Sequence, residues 1–133
     1  MVTELLGASL EDLFEISNRT FSIKTTCMLF YQFINLMEGL HKTNFVHRDV
    51  KPDNFLVGYG DRSNLVHLID FGLAKTFVDM NNTHIPFSDK KCLTGTARFA
   101  SLNAHLGYEL SRRDDLEAVG NMMLYFCLGK LPW

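Results

Sequence analysis

The run Val46-His47-Arg48-Asp49-Val50-Lys51-Pro52-Asp53-Asn54-Phe55-Leu56, with Ile69-Asp70-Phe71-Gly72 following it, constrains this chain more than any other feature. Phe55-Leu56-Val57 and Leu65-Val66-His67-Leu68-Ile69 read as two short apolar strands joined across the turn-rich stretch 58–64. A hairpin of that kind carries Asn54 at the entry of its first strand and Asp70 at the exit of its second. An amide and a carboxylate, sixteen residues apart in sequence, then meet at one edge. Taken singly, a His-Arg-Asp is an ordinary surface cluster, an Asp-Phe-Gly an ordinary turn and an Asn before a strand an ordinary cap. The fixed order and spacing of all three, with Lys51 and Pro52 between them, is not an accident of composition.

The rest of the chain is helical around this hairpin. Ser9-Leu10-Glu11-Asp12 has the spacing of a helix capping box, with Leu10, Leu13 and Phe14 on one face behind it. A second helix is predicted from about Ile23 to His41, its apolar stripe formed by Leu29, Phe33, Leu36, Met37 and Leu40. Residues 73–110 show no sustained periodicity and are expected to be ordered but irregular. Ser111-Arg112-Arg113-Asp114 repeats the capping pattern and opens a helix through Leu116, Val119, Met123 and Phe126. The uncharged run 118–129 makes that helix apolar on nearly every face, so it is expected to be central and buried.

Composition excludes several classes. A 133-residue chain is at most one domain, and its 47% hydrophobic content is that of an ordinary globular protein. A formal net charge of −2 offers no basic face for nucleic acid. No apolar run approaches the roughly 20 residues of a bilayer span. Met1–Leu6 lacks the basic start and apolar centre of a secretory leader. Cys27, Cys92 and Cys127 are too few and too scattered for a disulfide framework or a Cys-x-x-Cys metal pair. A reducing, intracellular compartment is the natural expectation.

The His-Arg-Asp-x-x-x-x-Asn and Asp-Phe-Gly pair resembles the catalytic loop and metal site of protein kinases. Beyond it, Leu93-Thr94-Gly95-Thr96-Ala97-Arg98-Phe99-Ala100-Ser101-Leu102-Asn103-Ala104-His105-Leu106-Gly107 and Ser111-Arg112-Arg113-Asp114-Asp115-Leu116-Glu117 resemble the casein kinase I family of serine/threonine kinases. Where most protein kinases carry Ala-Pro-Glu, that family carries Ser-Ile-Asn and this chain Ser101-Leu102-Asn103. The opening Glu4-Leu5-Leu6-Gly7-Ala8-Ser9-Leu10-Glu11-Asp12-Leu13 resembles the same family's hinge and first large-lobe helix. The resemblance runs through essentially all of the chain. It implies an α+β, protein-kinase-like fold, of which residues 1–133 form a partial domain: hinge, catalytic loop, activation segment and central helix. That part is mainly α-helical, with one small β-hairpin.

The resemblance also assigns roles. Asp49 is the expected catalytic base and Lys51 the phosphate contact, and Asn54 and Asp70 are the expected Mg2+ ligands. Thr96 braces Asp49 and Lys51, and Asp115 holds the catalytic loop from the central helix. Glu4 and Leu6 offer hinge backbone groups to the adenine of ATP, with Leu56 and Ile69 as its floor and Met1 at the end of the entering strand. His47 is expected to be a packed structural residue. Arg48, Lys75, Lys91 and Arg98 match an anion pocket for protein substrates whose target Ser or Thr follows an acidic or phosphorylated residue. Family members work in cytoplasm and nucleus.

Two departures temper the implied activity. Gly58-Tyr59-Gly60 is the only closely spaced glycine pair, and its place between two strands makes it a turn rather than a phosphate lid. Neither a glycine-rich lid nor a Val-Ala-Ile-Lys lysine occurs, and the family's small lobe and C-terminal helices are expected to be absent. The loop 76–90 is about one residue shorter than the family pattern. A second expectation therefore stands beside the kinase: a catalytically inactive remnant that binds partners or phosphopeptides.

Overall fold

The computed structural model describes residues 4–133. Helix α1 spans Leu10–Ile16, α2 Ile23–Lys42, α3 Leu102–His105 and α4 Arg112–Leu128. The short strands are β1 (Phe45–Val46), β2 (Phe55–Val57), β3 (Val66–Leu68) and β4 (Lys75–Thr76). The first helix begins as its sequence requires. Asp12 N–H donates to Ser9 Oγ (3.1 Å) while the Asp12 carboxylate accepts from Ser9 N–H (3.1 Å), so two groups at the helix end satisfy each other. Helix α4 is closed the same way at its start, Ser111 N–H donating to Asp114 Oδ2 at 2.7 Å. It ends on Gly129, whose φ of 77° is open to glycine at little cost.

The core lies between α1, α2 and α4. Phe14, Phe33, Met37, Val119, Met122 and Phe126 are fully enclosed there, and the Phe14 ring packs against those of Tyr125 (5.0 Å between centroids) and Phe126 (5.1 Å). In α2 the buried side chains are Thr26, Leu29, Phe33 and Met37, a one-sided stripe in the expected register. Leu36 packs at its edge.

Two features differ from the sequence reading. Helix α4 is not buried all round: Leu116, Leu124 and Leu128 are 44%, 48% and 62% exposed. Its faces toward α1, α2, the 47–48 loop and residues 99–104 are enclosed and the remaining face is open, so an uncharged run does not by itself mean a surrounded helix. The expected hairpin is present as β2 and β3, paired antiparallel with Leu56 opposite His67. It is joined by a second antiparallel ribbon, β1 with β4, in which Phe45 faces Thr76 and Val46 faces Lys75. That ribbon ties the segment before the catalytic loop to the segment after Asp-Phe-Gly. Of residues 73–110, expected to be irregular, only Leu73 at the end of a 3-10 turn, β4 and the single turn of α3 are regular. No helix among the described residues is long and apolar enough to cross a membrane.

Candidate active site

The catalytic loop leaves β1 at Val46 and returns into β2 at Phe55, and α4 fixes its path from below. Asp115, in the first turn of α4, accepts His47 N–H on Oδ2 (2.8 Å) and Arg48 N–H on Oδ1 (2.9 Å). His41 Nε2, from the last turn of α2, reaches the same Oδ2 at 2.9 Å. These bonds hold Arg48 in a left-handed conformation with φ 69°, which its own side chain disfavours. His47 is enclosed beneath the loop. Its Nδ1 accepts Asp49 N–H (3.3 Å), so Nε2 carries the proton and donates to the Ile69 carbonyl at 3.0 Å. Phe71 packs edge-on against its ring at 5.3 Å. His47 therefore links the loop to the Asp-Phe-Gly strand end and has no free nitrogen for proton transfer.

Asp49 is the focus of the site. Its Oδ1 accepts both the backbone N–H and the hydroxyl of Thr96, each at 2.8 Å. Its Oδ2 lies 3.0 Å from Lys51 Nζ and 3.3 Å from Asn54 Nδ2. Lys51 Nζ also donates to Thr96 Oγ1 at 3.1 Å, closing a triangle of Asp49, Lys51 and Thr96. Burial pushes the Asp49 carboxyl up, but the Thr96 hydroxyl and the Lys51 ammonium outweigh it and hold the group below the usual aspartate range. Asp49 is ionised at neutral pH. Thr96 reaches it because Gly95 lies against the loop: with φ 88°, a Cβ there would collide with the Arg48 carbonyl oxygen.

Asn54 and Asp70 do meet at one edge of the hairpin, where Ile69 N–H donates to the Asn54 carbonyl at 2.9 Å. The Asn54 amide spends its Nδ2 protons on Asp49, at 2.8 Å to the carbonyl and 3.3 Å to the carboxylate, which turns its Oδ1 away from them. Asp70 sits in a left-handed conformation, φ 59°, with Oδ1 accepting Gly72 N–H at 3.2 Å. An amide oxygen and an exposed carboxylate are hard oxygen donors and suit Mg2+, which takes few protein ligands and completes its shell with water and phosphate. The donor set fits that ion. No cluster of three His, Cys, Asp or Glu ligands occurs among the described residues.

The segment expected to be the hinge runs into residues that pair with β2. Gly7 N–H donates to the Val57 carbonyl (2.8 Å) and Val57 N–H to the Ala8 carbonyl (3.1 Å), which lays residues 7–9 antiparallel along β2, with Leu56 opposite Ser9; Leu56 and Ile69 are half-buried. The Glu4 carboxylate is ion-paired with Arg62, and its Oε1 lies 3.8 Å from His67 Nδ1. The expectation for Met1 lies outside the described residues.

The whole chain, residues 1–133, matches the family model for the protein kinase domain. The chain belongs to the protein kinase family. Protein kinases are transferases that draw on ATP and Mg2+ and act on proteins.

The four basic residues expected to form an anion pocket divide. Arg48, Lys75 and Lys91 line one cavity of about 130 Å3 together with Thr94, Tyr108 and Glu109. Arg98 does not line it. Residue 98 is exposed, and its carbonyl accepts the Trp133 indole N–H at 2.9 Å. Glu109 went unread in the sequence, yet it bridges two of the cations, Oε1 to Lys75 Nζ at 2.7 Å and Oε2 to Lys91 Nζ at 2.9 Å. His41 and Asp114 also went unread as site supports. Asp114 Oδ1 accepts the Ser101 hydroxyl (2.7 Å) and the Asn103 amide (3.0 Å), which gives the Ser101-Leu102-Asn103 motif its anchor on α4. The Ser111–Asp114 capping pattern flagged Asp114, but only for its local bond.

Proposed function

We propose that this chain is the catalytic core of an ATP- and Mg2+-dependent serine/threonine kinase of casein kinase I type, acting on Ser or Thr downstream of acidic or phosphorylated residues. The observation that carries the reading is the triangle of Asp49, Lys51 and Thr96. An ionised Asp49, with Oδ1 committed to Thr96, has Oδ2 as the atom to accept the proton of an incoming hydroxyl. As the hydroxyl oxygen bonds to the γ-phosphorus of ATP and the bond from that phosphorus to the bridging oxygen breaks, releasing ADP, the hydroxyl proton would pass to Asp49. The Lys51 ammonium, 3.0 Å from the same oxygen, neutralises charge on the transferring group. Asn54 and Asp70 are the residues to hold Mg2+, which supplies charge neutralisation on the nucleotide phosphates. Glu4, Leu6, Leu56 and Ile69 are assigned to the adenine, and Arg48, Lys75 and Lys91, with Arg98 at a distance, to the substrate's anion. Three free, exposed cysteines suit a reducing compartment, cytoplasm or nucleus.

A second reading is a kinase-derived binding module. It is favoured by one observation: the cavity lined by Arg48, Lys75 and Lys91 is formed by residues of this chain alone. One experiment separates the two. The 133-residue chain by itself should transfer negligible phosphate from ATP to an acidic Ser peptide. Fused behind a kinase small lobe that supplies lid and lysine, it should show Mg2+-dependent transfer to Ser or Thr, lost in Asp49→Ala and mostly lost in Asp70→Asn. A folded, nucleotide-binding fusion without transfer would favour the binding module, and full activity in Asp70→Asn would refute the metal assignment.

A further inference from the structure

The cavity beside the catalytic loop holds three cations and one carboxylate. Glu109 is the carboxylate, buried, with one oxygen on each lysine. Its main chain is fixed by backbone bonds and its carboxylate by the two lysines. Glu109 N–H donates to the Ser88 carbonyl (2.7 Å) and Lys91 N–H to the Gly107 carbonyl (2.9 Å), so the two segments that carry Glu109 and Lys91 are stitched together. Arg48 is fixed as well, its Nε–H donating to the Leu73 carbonyl at 2.7 Å. Lys75 and Lys91 each have three N–H donors and spend one on Glu109, so both can still reach a ligand in the cavity. The two ammonium groups hold the Glu109 carboxyl below the usual glutamate range against the opposing effect of burial, so it stays charged beside anything that enters.

We propose that Glu109 is a specificity-determining residue of the anion pocket, an internal competitor whose charge weakens the hold of Arg48, Lys75 and Lys91 on a substrate phosphate. This rests on the anion-pocket assignment made under the proposed function. A carboxylate that cannot swing out forces the phosphate to sit beside it, and the repulsion grows with ligand charge. A phosphoserine carries nearly two negative charges at neutral pH and an aspartate one, so the phosphate bears about twice the penalty. With Glu109 in place the pocket receives an anion without trapping it. The lysines stay paired when no substrate is present.

The test measures binding, not turnover, and uses the 133-residue chain itself, so it does not depend on the catalytic reading. Three peptides, identical except for phosphoserine, aspartate or serine at one position, are titrated calorimetrically at low salt into wild type and Glu109→Gln. At water-like dielectric the neutral variant should bind the phosphopeptide about tenfold more tightly and the aspartyl peptide about threefold, with no change for the seryl peptide. Simple damage to the loop would give no such charge-graded gain. Unchanged or weaker phosphopeptide binding in a folded Glu109→Gln protein overturns the proposal, as does an equal gain on all three peptides. If wild type binds phosphoserine no better than serine, and the variant likewise, the anion pocket itself falls and the proposal with it. Should Glu109→Gln fail to fold, Glu109→Asp serves: its charge is withdrawn by one methylene, and the phosphopeptide should gain about 1.6-fold, more than the aspartyl peptide. No gain there overturns the proposal equally.

Discussion

Asp115→Ala is the sharpest test of how the catalytic loop is held. The carboxylate is 2% exposed and accepts three bonds, from His47 N–H at 2.8 Å, Arg48 N–H at 2.9 Å and His41 Nε2 at 2.9 Å. No other acceptor for either backbone N–H occurs among the described residues. Hydrogen bonds to a charged acceptor contribute about 1.5–3 kcal/mol each, and a buried donor left alone costs about 1–3 kcal/mol. Water entering the space of the lost carboxylate recovers part of this at Arg48, which is half-buried, and little at His47, which is enclosed. The expected loss is about 3–6 kcal/mol, a large share of the 5–15 kcal/mol typical of a domain. Asp115→Asn keeps one acceptor oxygen but turns an amide toward a backbone donor, and should lose about 2–3 kcal/mol. Urea unfolding followed by far-ultraviolet circular dichroism measures both, with Asp61→Ala on an exposed turn as the control. A loss under about 1 kcal/mol in Asp115→Ala would refute the claim that α4 anchors the loop.

Two further outcomes follow from the geometry. Gly95→Ala must move either the Arg48 carbonyl or its own φ of 88°, so it should separate Thr96 from Asp49, cost the lobe-supplied kinase at least tenfold in kcat and lower the melting temperature as well; near-wild-type kcat and melting temperature contradict the close approach. Glu109 is depressed in the folded chain, so its contribution to stability is full above the ordinary glutamate range, about pH 4–5, and is lost as pH falls through the folded value. Wild type should therefore lose more melting temperature than Glu109→Gln between pH 5 and pH 3, and parallel curves would show that the Lys75 and Lys91 pairing contributes nothing.

What was legible in the sequence is what depends on neighbours in the chain. Ser9 with Asp12 and Ser111 with Asp114 announce helix starts because a cap needs only a three-residue spacing. The β2–β3 hairpin and the meeting of Asn54 with Asp70 follow from a single turn. The β1–β4 ribbon had no such signal: two residues pair with two others across the whole catalytic loop and hairpin, and only the closed fold selects that register. Helix α4 misled for a related reason. Its apolar run says nothing of which faces have neighbours, and Leu124 and Leu128 have few.

The same distinction explains why Glu109, Asp114 and Asp115 carry more than their local patterns suggest. Two aspartates in the first turn of a helix are ordinary complements to its dipole. Here each also reaches far along the chain. Asp114 receives Ser101 and Asn103 from the end of the activation segment, and Asp115 receives the catalytic loop. Glu109, a few residues earlier, receives Lys75 and Lys91 from the two sides of that segment. The catalytic loop and both sides of the activation segment are thus tied to the single stretch 109–115 by carboxylates. Arg48, which Asp115 holds by its backbone, and Lys75 and Lys91, which Glu109 holds by their ammonium groups, line one cavity, so its three cations are all fixed from this one stretch.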